Sequence, residues 1–134
     1  MKPLVLNLRK NGYKKIKTLI NFKSLIIGSF LFLIGQILVW YQINGQFLST
    51  WMKDRPIIMS LLGIPISYIY IYATQHTVSA FDGSLWPQRF IGFSMGMLSF
   101  AFLTYFHLNE GMNLKTVVTL SLAVLIVLIQ ILWN

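Results

Sequence analysis

The chain has 134 residues, of which 56% are hydrophobic and only 10% are charged, and its formal net charge is +8. An ordinary soluble domain carries about 25% charged residues, so this composition excludes that class and indicates a single-domain membrane protein. Cysteine is missing from the sequence, which excludes disulfide bonds and thiolate metal sites.

Residues 1–23 form the only basic segment and hold 7 of the 11 lysine and arginine residues. Tyr13, Ile16 and Leu19 fall at helical spacing with lysines displaced from them, which predicts a short amphipathic helix in the headgroup layer. A signal peptide is the competing interpretation, but the following apolar stretch is too long and lacks a cleavage pattern. Because the charge lies directly before an apolar run, the expected partner is the lipid bilayer rather than nucleic acid.

Four apolar stretches are long enough to cross a membrane, which takes about 20 helical residues. They are residues 25–44, 57–75, 90–108 and 116–133. Short loops join them, so successive spans must alternate in direction. The sequence therefore predicts an all-α membrane protein with four transmembrane helices in an antiparallel bundle over residues 24–134, preceded by the basic amphipathic segment.

Several local features qualify these spans. Trp40 and Tyr41 at the end of the first span are expected to form an aromatic belt at the headgroups. Gly63 and Pro65 lie inside the second span, where a proline frees a carbonyl and kinks the helix. Residues 75–86 are predicted to be the loop that follows it.

The third span contains the pair Gly92 and Gly96, a GxxxG motif. Small residues at this spacing let another helix come close in lipid, so the two glycines are predicted to form a helix-packing face. A chance occurrence in an apolar helix is the alternative, because such pairs are common.

Positive charge sets the predicted orientation. With the N-terminus inside, the inner side holds 8 lysine and arginine residues and the outer side holds 3. The bias predicts that both termini are cytoplasmic, in an inner or plasma membrane.

A family resemblance runs from Tyr72 to Gly96 and again from Phe106 to Gln130. The segments are YATQHTVSAFDGSLWPQRFIGFSMG and FHLNEGMNLKTVVTLSLAVLIVLIQ. They resemble the repeating four-helix unit of the drug/metabolite transporter superfamily, of the EamA-like or small multidrug resistance-like kind, with Glu110 at the place of the acidic residue that ends a helix. The resemblance implies a transporter-like membrane protein that works as a homodimer. The small multidrug resistance proteins carry a glutamate within their first helix, whereas the first span here contains no acidic residue.

Polar side chains near the middle of the spans are the candidate substrate path. Gln36, Tyr68 and Ser99 lie at this depth, with Trp40 and Tyr72 one turn from the first two. Carriers bind solutes at the midplane through hydrogen bonds and aromatic faces, which favours a small neutral or cationic solute. The alternative is that these side chains hydrogen-bond one another and hold the helices together.

A second polar group is expected at the inner surface, formed by Gln75, His76, Asp82 and Arg89. It could form an entrance or a latch between the second and third spans, with Arg89 paired to Asp82. Contact with lipid headgroups, together with a weak surface ion pair, is the alternative.

No catalytic group of residues is recognisable, because a nucleophile with a base in reach, or converging metal ligands, would be needed. His76 and His107 end spans on opposite sides, so no metal site, cofactor or enzymatic activity is expected. The leading hypothesis is transport, and the alternative is a structural or accessory subunit that binds other membrane proteins. A pore is disfavoured because no span has a continuous polar stripe.

Overall fold

The computed structural model describes residues 20–133, and this part of the chain is helical without strands. The helices are α1 (Phe22–Asn44), α2 (Thr50–Lys53), α3 (Pro56–Leu61), α4 (Gly63–Ala80), α5 (Leu85–Leu108) and α6 (Leu114–Leu132), with a 3-10 turn at Gly45–Phe47. Four helical stretches are long and apolar enough to cross a membrane: Phe22–Phe47, Pro56–Ala80, Leu85–Leu108 and Leu114–Leu132. The predicted all-α class with four candidate membrane helices is therefore confirmed. The predicted amphipathic helix in the basic segment falls outside the described residues.

Asparagine side chains cap the N-termini of two of the four long helices. The Asn21 side chain accepts a hydrogen bond from the backbone N–H of Ser24 at 3.2 Å. The Asn113 side chain does the same for Thr116 at 2.9 Å. Each bond satisfies one of the backbone donors that a helix leaves unpaired in its first turn. These caps place the starts of α1 and α6 close to the predicted span boundaries.

The predicted loop at residues 75–86 is wrong at both ends, because α4 continues to Ala80 and α5 already begins at Leu85. The polar residues there do not end the helix, since their hydroxyls bond back to carbonyls one turn earlier. Thr77 donates to the Ala73 carbonyl at 2.7 Å, and Ser79 donates to the Gln75 carbonyl at 2.8 Å. The reversal between α4 and α5 is confined to the residues from 81 to 84.

The second candidate membrane stretch is interrupted at Leu62, close to the position of the kink predicted from Pro65. Helix α3 ends at Leu61 and α4 begins at Gly63, two residues before Pro65. Proline lacks the N–H that would bond the Leu61 carbonyl, so the backbone ladder is incomplete there. The side-chain amide of Gln42 in α1 donates to the carbonyl of Met59 at 2.9 Å, so a neighbouring helix adds a hydrogen bond beside the break.

Helix α1 lies between α4 and α5 and packs on both. Its contact with α4 is close enough to require glycine. A Cβ on Gly28 would lie 2.9 Å from the Thr77 nitrogen and 3.0 Å from the Ala73 carbonyl oxygen. Further along α1, Gly35 faces the ring of Tyr70. As the residue numbers increase along α1, those of the contacting residues in α4 decrease, so these two helices run in opposite directions.

Helices α1 and α5 run in the same direction, because Phe32 meets Gly92 and Trp40 meets Thr104. Helix α6 packs on α5 alone among the described helices, and its only buried side chain is that of Ala123. The complete antiparallel four-helix bundle stays a prediction, because three helices are joined through α1 and the fourth is attached to one edge.

Candidate functional site

Gln36 bridges α1 and α5 near the middle of both helices. Its side-chain amide donates to the Gly92 carbonyl at 3.2 Å. The same side chain lies against Gly96, where an added Cβ would come within 2.9 Å of its amide carbon. The missing side chains of the two glycines therefore make the space that Gln36 occupies. The predicted GxxxG pair is in this way placed against Phe32 and Gln36 of α1.

A cavity of about 500 Å³ lies beside Gln36, between α1, α4 and α5. Helix α4 contributes Tyr70 and Thr74, and the first turn of α5 contributes Gln88 and Arg89. A smaller cavity of about 160 Å³ continues from it and shares Gln36, Gly96 and Phe100 with it. Gly92, whose carbonyl accepts the Gln36 hydrogen bond, also lines the larger cavity, so both partners of this bond border open space.

A third cavity, of about 360 Å³, lies between α5 and α6 under the loop that joins them. It shares Met97 and Phe100 with the cavity beside Gln36. The three cavities thus share lining residues, and together their linings include residues of all four long helices. We call the three cavities together the central groove.

The two predicted tyrosines lie away from the central groove. Tyr68 and Tyr72 bond each other through their hydroxyls at 3.3 Å, and their side chains are 62% and 43% exposed. Two residues correspond to about 200° around a helix, so Tyr68 and Tyr72 lie on the opposite side of α4 from Tyr70. Their predicted role in a substrate path stays untested. Tyr70, which was not among the predicted site residues, is the tyrosine that lines the groove.

Trp40 is not part of a headgroup belt, because its side chain is only 3% exposed. Its indole N–H donates to the Thr104 hydroxyl at 3.1 Å, and its ring stacks on His107 with centroids 5.5 Å apart. The neighbouring Tyr41 hydroxyl and His107 Nε2 are 2.7 Å apart. This polar and aromatic cluster joins the ends of α1 and α5. A buried tryptophan N–H needs a hydrogen-bond partner, and Thr104 provides it.

Ser99, the remaining mid-depth candidate, is buried and donates to the Met95 carbonyl of its own helix at 2.7 Å. Ser94 has the more consequential bond. Its buried hydroxyl donates to the Ala123 carbonyl at 2.8 Å and joins α5 to α6. The sequence analysis missed Ser94, although it lies between the two glycines of the motif.

The predicted inner-surface residues are divided among α4, the α4–α5 turn and α5. Gln75 and His76 belong to the last turns of α4, while Asp82 lies in the α4–α5 turn with a left-handed φ of 51°. Arg89 is exposed and lines the end of the central groove beside Gln88. The proposed pairing of Arg89 with Asp82 stays a prediction.

Within residues 20–133, no three side chains of histidine, aspartate or glutamate lie close enough to share a metal ion. The chemistry that the central groove offers is hydrogen bonding through amides and hydroxyls, aromatic contact, and charge at its two ends. Such a lining can bind and orient a small molecule.

Comparison with known proteins does not place the chain in a group. No protein family, curated protein or solved structure matches it.

Proposed function

We propose that this chain is a multi-pass membrane protein of transporter type, which moves a small neutral or cationic solute along the central groove. In this proposal the four apolar helices alternate in direction across an inner or plasma membrane, with both termini cytoplasmic. The observation that carries the proposal is the meeting of Gln36, Tyr70 and Thr74 in an open cavity at mid-depth. Carriers hold their solutes at this depth, at the interface between helices.

The lining of that cavity favours a neutral solute over a cationic one. Arg89 supplies a positive charge at one end, and the side chains of residues 20–133 that line the cavity include no carboxylate. A cation would therefore be repelled where it enters without an opposite charge to hold it. A neutral molecule with hydrogen-bonding groups can use Gln36, Tyr70 and Thr74 instead.

Reconstituted protein in liposomes tests the proposal through solute flux across a panel of neutral and cationic compounds. We expect Tyr70→Phe to lower the flux of the preferred solute about fivefold, because one hydrogen bond to the solute is lost. Tyr68→Phe is the matched control, since its hydroxyl lies on the far side of α4. Absence of flux over the whole panel, or equal loss in the two variants, would contradict the proposal.

A second candidate is a structural or accessory subunit of a larger membrane assembly. Helix α6 favours it, because α6 contacts only α5 among the described helices and exposes most of its leucine and valine side chains. Mild extraction followed by cross-linking from Leu125→Cys tests this candidate. Adducts with other polypeptides support it, whereas adducts with a second copy support the homodimer that the family resemblance implies.

A further inference from the structure

The cavity between α5 and α6 has a charged mouth and an apolar interior. Glu110 and Lys115 contribute one carboxylate and one ammonium group to its lining, in the loop and at the start of α6. Thr116 and Thr119 follow on α6. Apart from Asp54 and Asp82, Glu110 is the only acidic residue of the chain, so a carboxylate beside a cavity is rare here.

The loop that carries Glu110 has a defined backbone geometry at both ends. Helix α5 ends in Asn109, whose φ of 52° is left-handed and turns the chain sharply. Asn113 then caps α6 through bonds from the backbone N–H and the hydroxyl of Thr116, at 2.9 and 3.0 Å. Glu110 lies between these two fixed points, and Lys115 lies two residues after the second.

Away from the loop, apolar side chains line the cavity together with Thr104 and Thr119. Met97, Phe100 and Ala101 of α5 face Leu120 of α6 across it. Met97 lies seven residues before Thr104, which corresponds to about 10 Å along the helix. With a volume of about 360 Å³, the cavity falls within the range of small-molecule sites.

We propose that this cavity binds a small zwitterion that carries an ammonium group, a carboxylate and a compact apolar part. The ammonium group pairs with Glu110, the carboxylate pairs with Lys115, and the apolar part contacts Met97, Phe100 and Leu120. An ion of a single sign would leave one of the two protein charges facing a like charge, which costs affinity. This inference deepens the proposed function, on which it rests in one respect: the cavity would be the outer entrance to the central groove.

Free leucine and two analogues test the charge requirement. The analogues are the amine without the carboxylate and the acid without the amine, and both keep the apolar part. Calorimetric titration of the full chain in lipid nanodiscs should show leucine binding about tenfold more tightly than either analogue, since charge-assisted hydrogen bonds are worth more than neutral ones. Equal affinity for the three compounds, or binding of none, overturns the proposal.

Charge variants at the mouth sharpen the test. Glu110→Gln should shift the preference to the acid, and Lys115→Gln should shift it to the amine. The exchanged variant Glu110→Lys with Lys115→Glu should regain the preference for leucine, because both charges are present again. Lys53→Gln, remote from this cavity, is the matched control. Loss of leucine binding in all variants, the control included, also overturns the proposal.

The binding experiment and the flux experiment distinguish failure of the zwitterion site from failure of the proposed transport function. Leucine that binds with this charge pattern but does not cross the membrane would contradict transport and keep the site. Flux of other solutes without a preference for the zwitterion would keep transport and contradict the site.

Discussion

Helices α1 and α6 are both long and apolar, yet they are held in very different ways. Helix α1 contacts α4 through glycines and contacts α5 through three side-chain hydrogen bonds, those of Gln36, Trp40 and Tyr41. Among the helices of residues 20–133, α6 contacts α5 alone, and it has one buried residue. Lipid tails are as apolar as leucine side chains, so the hydrophobic effect provides no driving force for the packing of either helix. The two helices differ in how closely their backbones approach a neighbouring helix and in how many hydrogen bonds they form with it. Helix α6 has few contacts of either kind.

Replacing Gly28 by alanine should break the tighter of the two regions. The added Cβ would lie about 3 Å from backbone atoms of Ala73 and Thr77, which cannot move without separating α1 from α4. We expect a loss of about 1–3 kcal/mol in the free energy of unfolding, measured by denaturant titration in micelles.

Gly111→Ala is the control for this change, because nothing lies within 4 Å of a Cβ there. A Gly28→Ala protein as stable as the Gly111→Ala protein would mean that α1 and α4 do not approach as closely as described.

Thr104→Val tests the polar part of the same region. The substitution keeps the shape of the side chain but removes the acceptor of the buried Trp40 N–H. We expect the free energy of unfolding to fall by about 1–2 kcal/mol, since an unpaired buried donor loses its partner without regaining water.

Ser121→Ala provides the comparison, because the Ser121 hydroxyl bonds the Val117 carbonyl of its own helix and is exposed. Equal stability of the two variants would show that the Trp40 bond does not hold α1 to α5.

Ser94→Ala addresses the loosely attached helix and should have the smallest effect. It removes the hydrogen bond to the Ala123 carbonyl, worth about 0.6 kcal/mol by comparison with other membrane proteins. Hydrogen exchange should then rise about threefold in α6 and stay unchanged in α1, because the loss is confined to one edge.

Ser99→Ala, which removes a bond within α5, should leave the exchange of α6 unchanged. An equal rise in α1 and α6 after Ser94→Ala would show that the four helices open together, and the contrast between the two regions would be lost.

The candidate site was only partly predictable. Gln36 was recognisable because a strongly polar side chain in an apolar span needs a partner, and the structure gives it one. Tyr68 and Tyr72 were as recognisable as Tyr70, but only Tyr70 lies on the side of α4 that meets α1. The spacing of Ala73 and Thr77, small residues four apart on that side, was the available signal. Which of several polar faces is covered depends on a second helix, so one span alone could not reveal it.

By itself, the sequence determined the number of membrane-compatible helices, most of their ends and the interruption before Pro65. The reason is local, because a backbone in lipid must satisfy its own polar groups and only long apolar helices do so. The tertiary structure alone decided that α1 lies between α4 and α5, that Trp40 is buried against Thr104, and that α6 is attached at one edge. These packing arrangements depend on which small residues of two helices come into contact. In an apolar sequence, many pairings of helix faces are nearly equal in free energy.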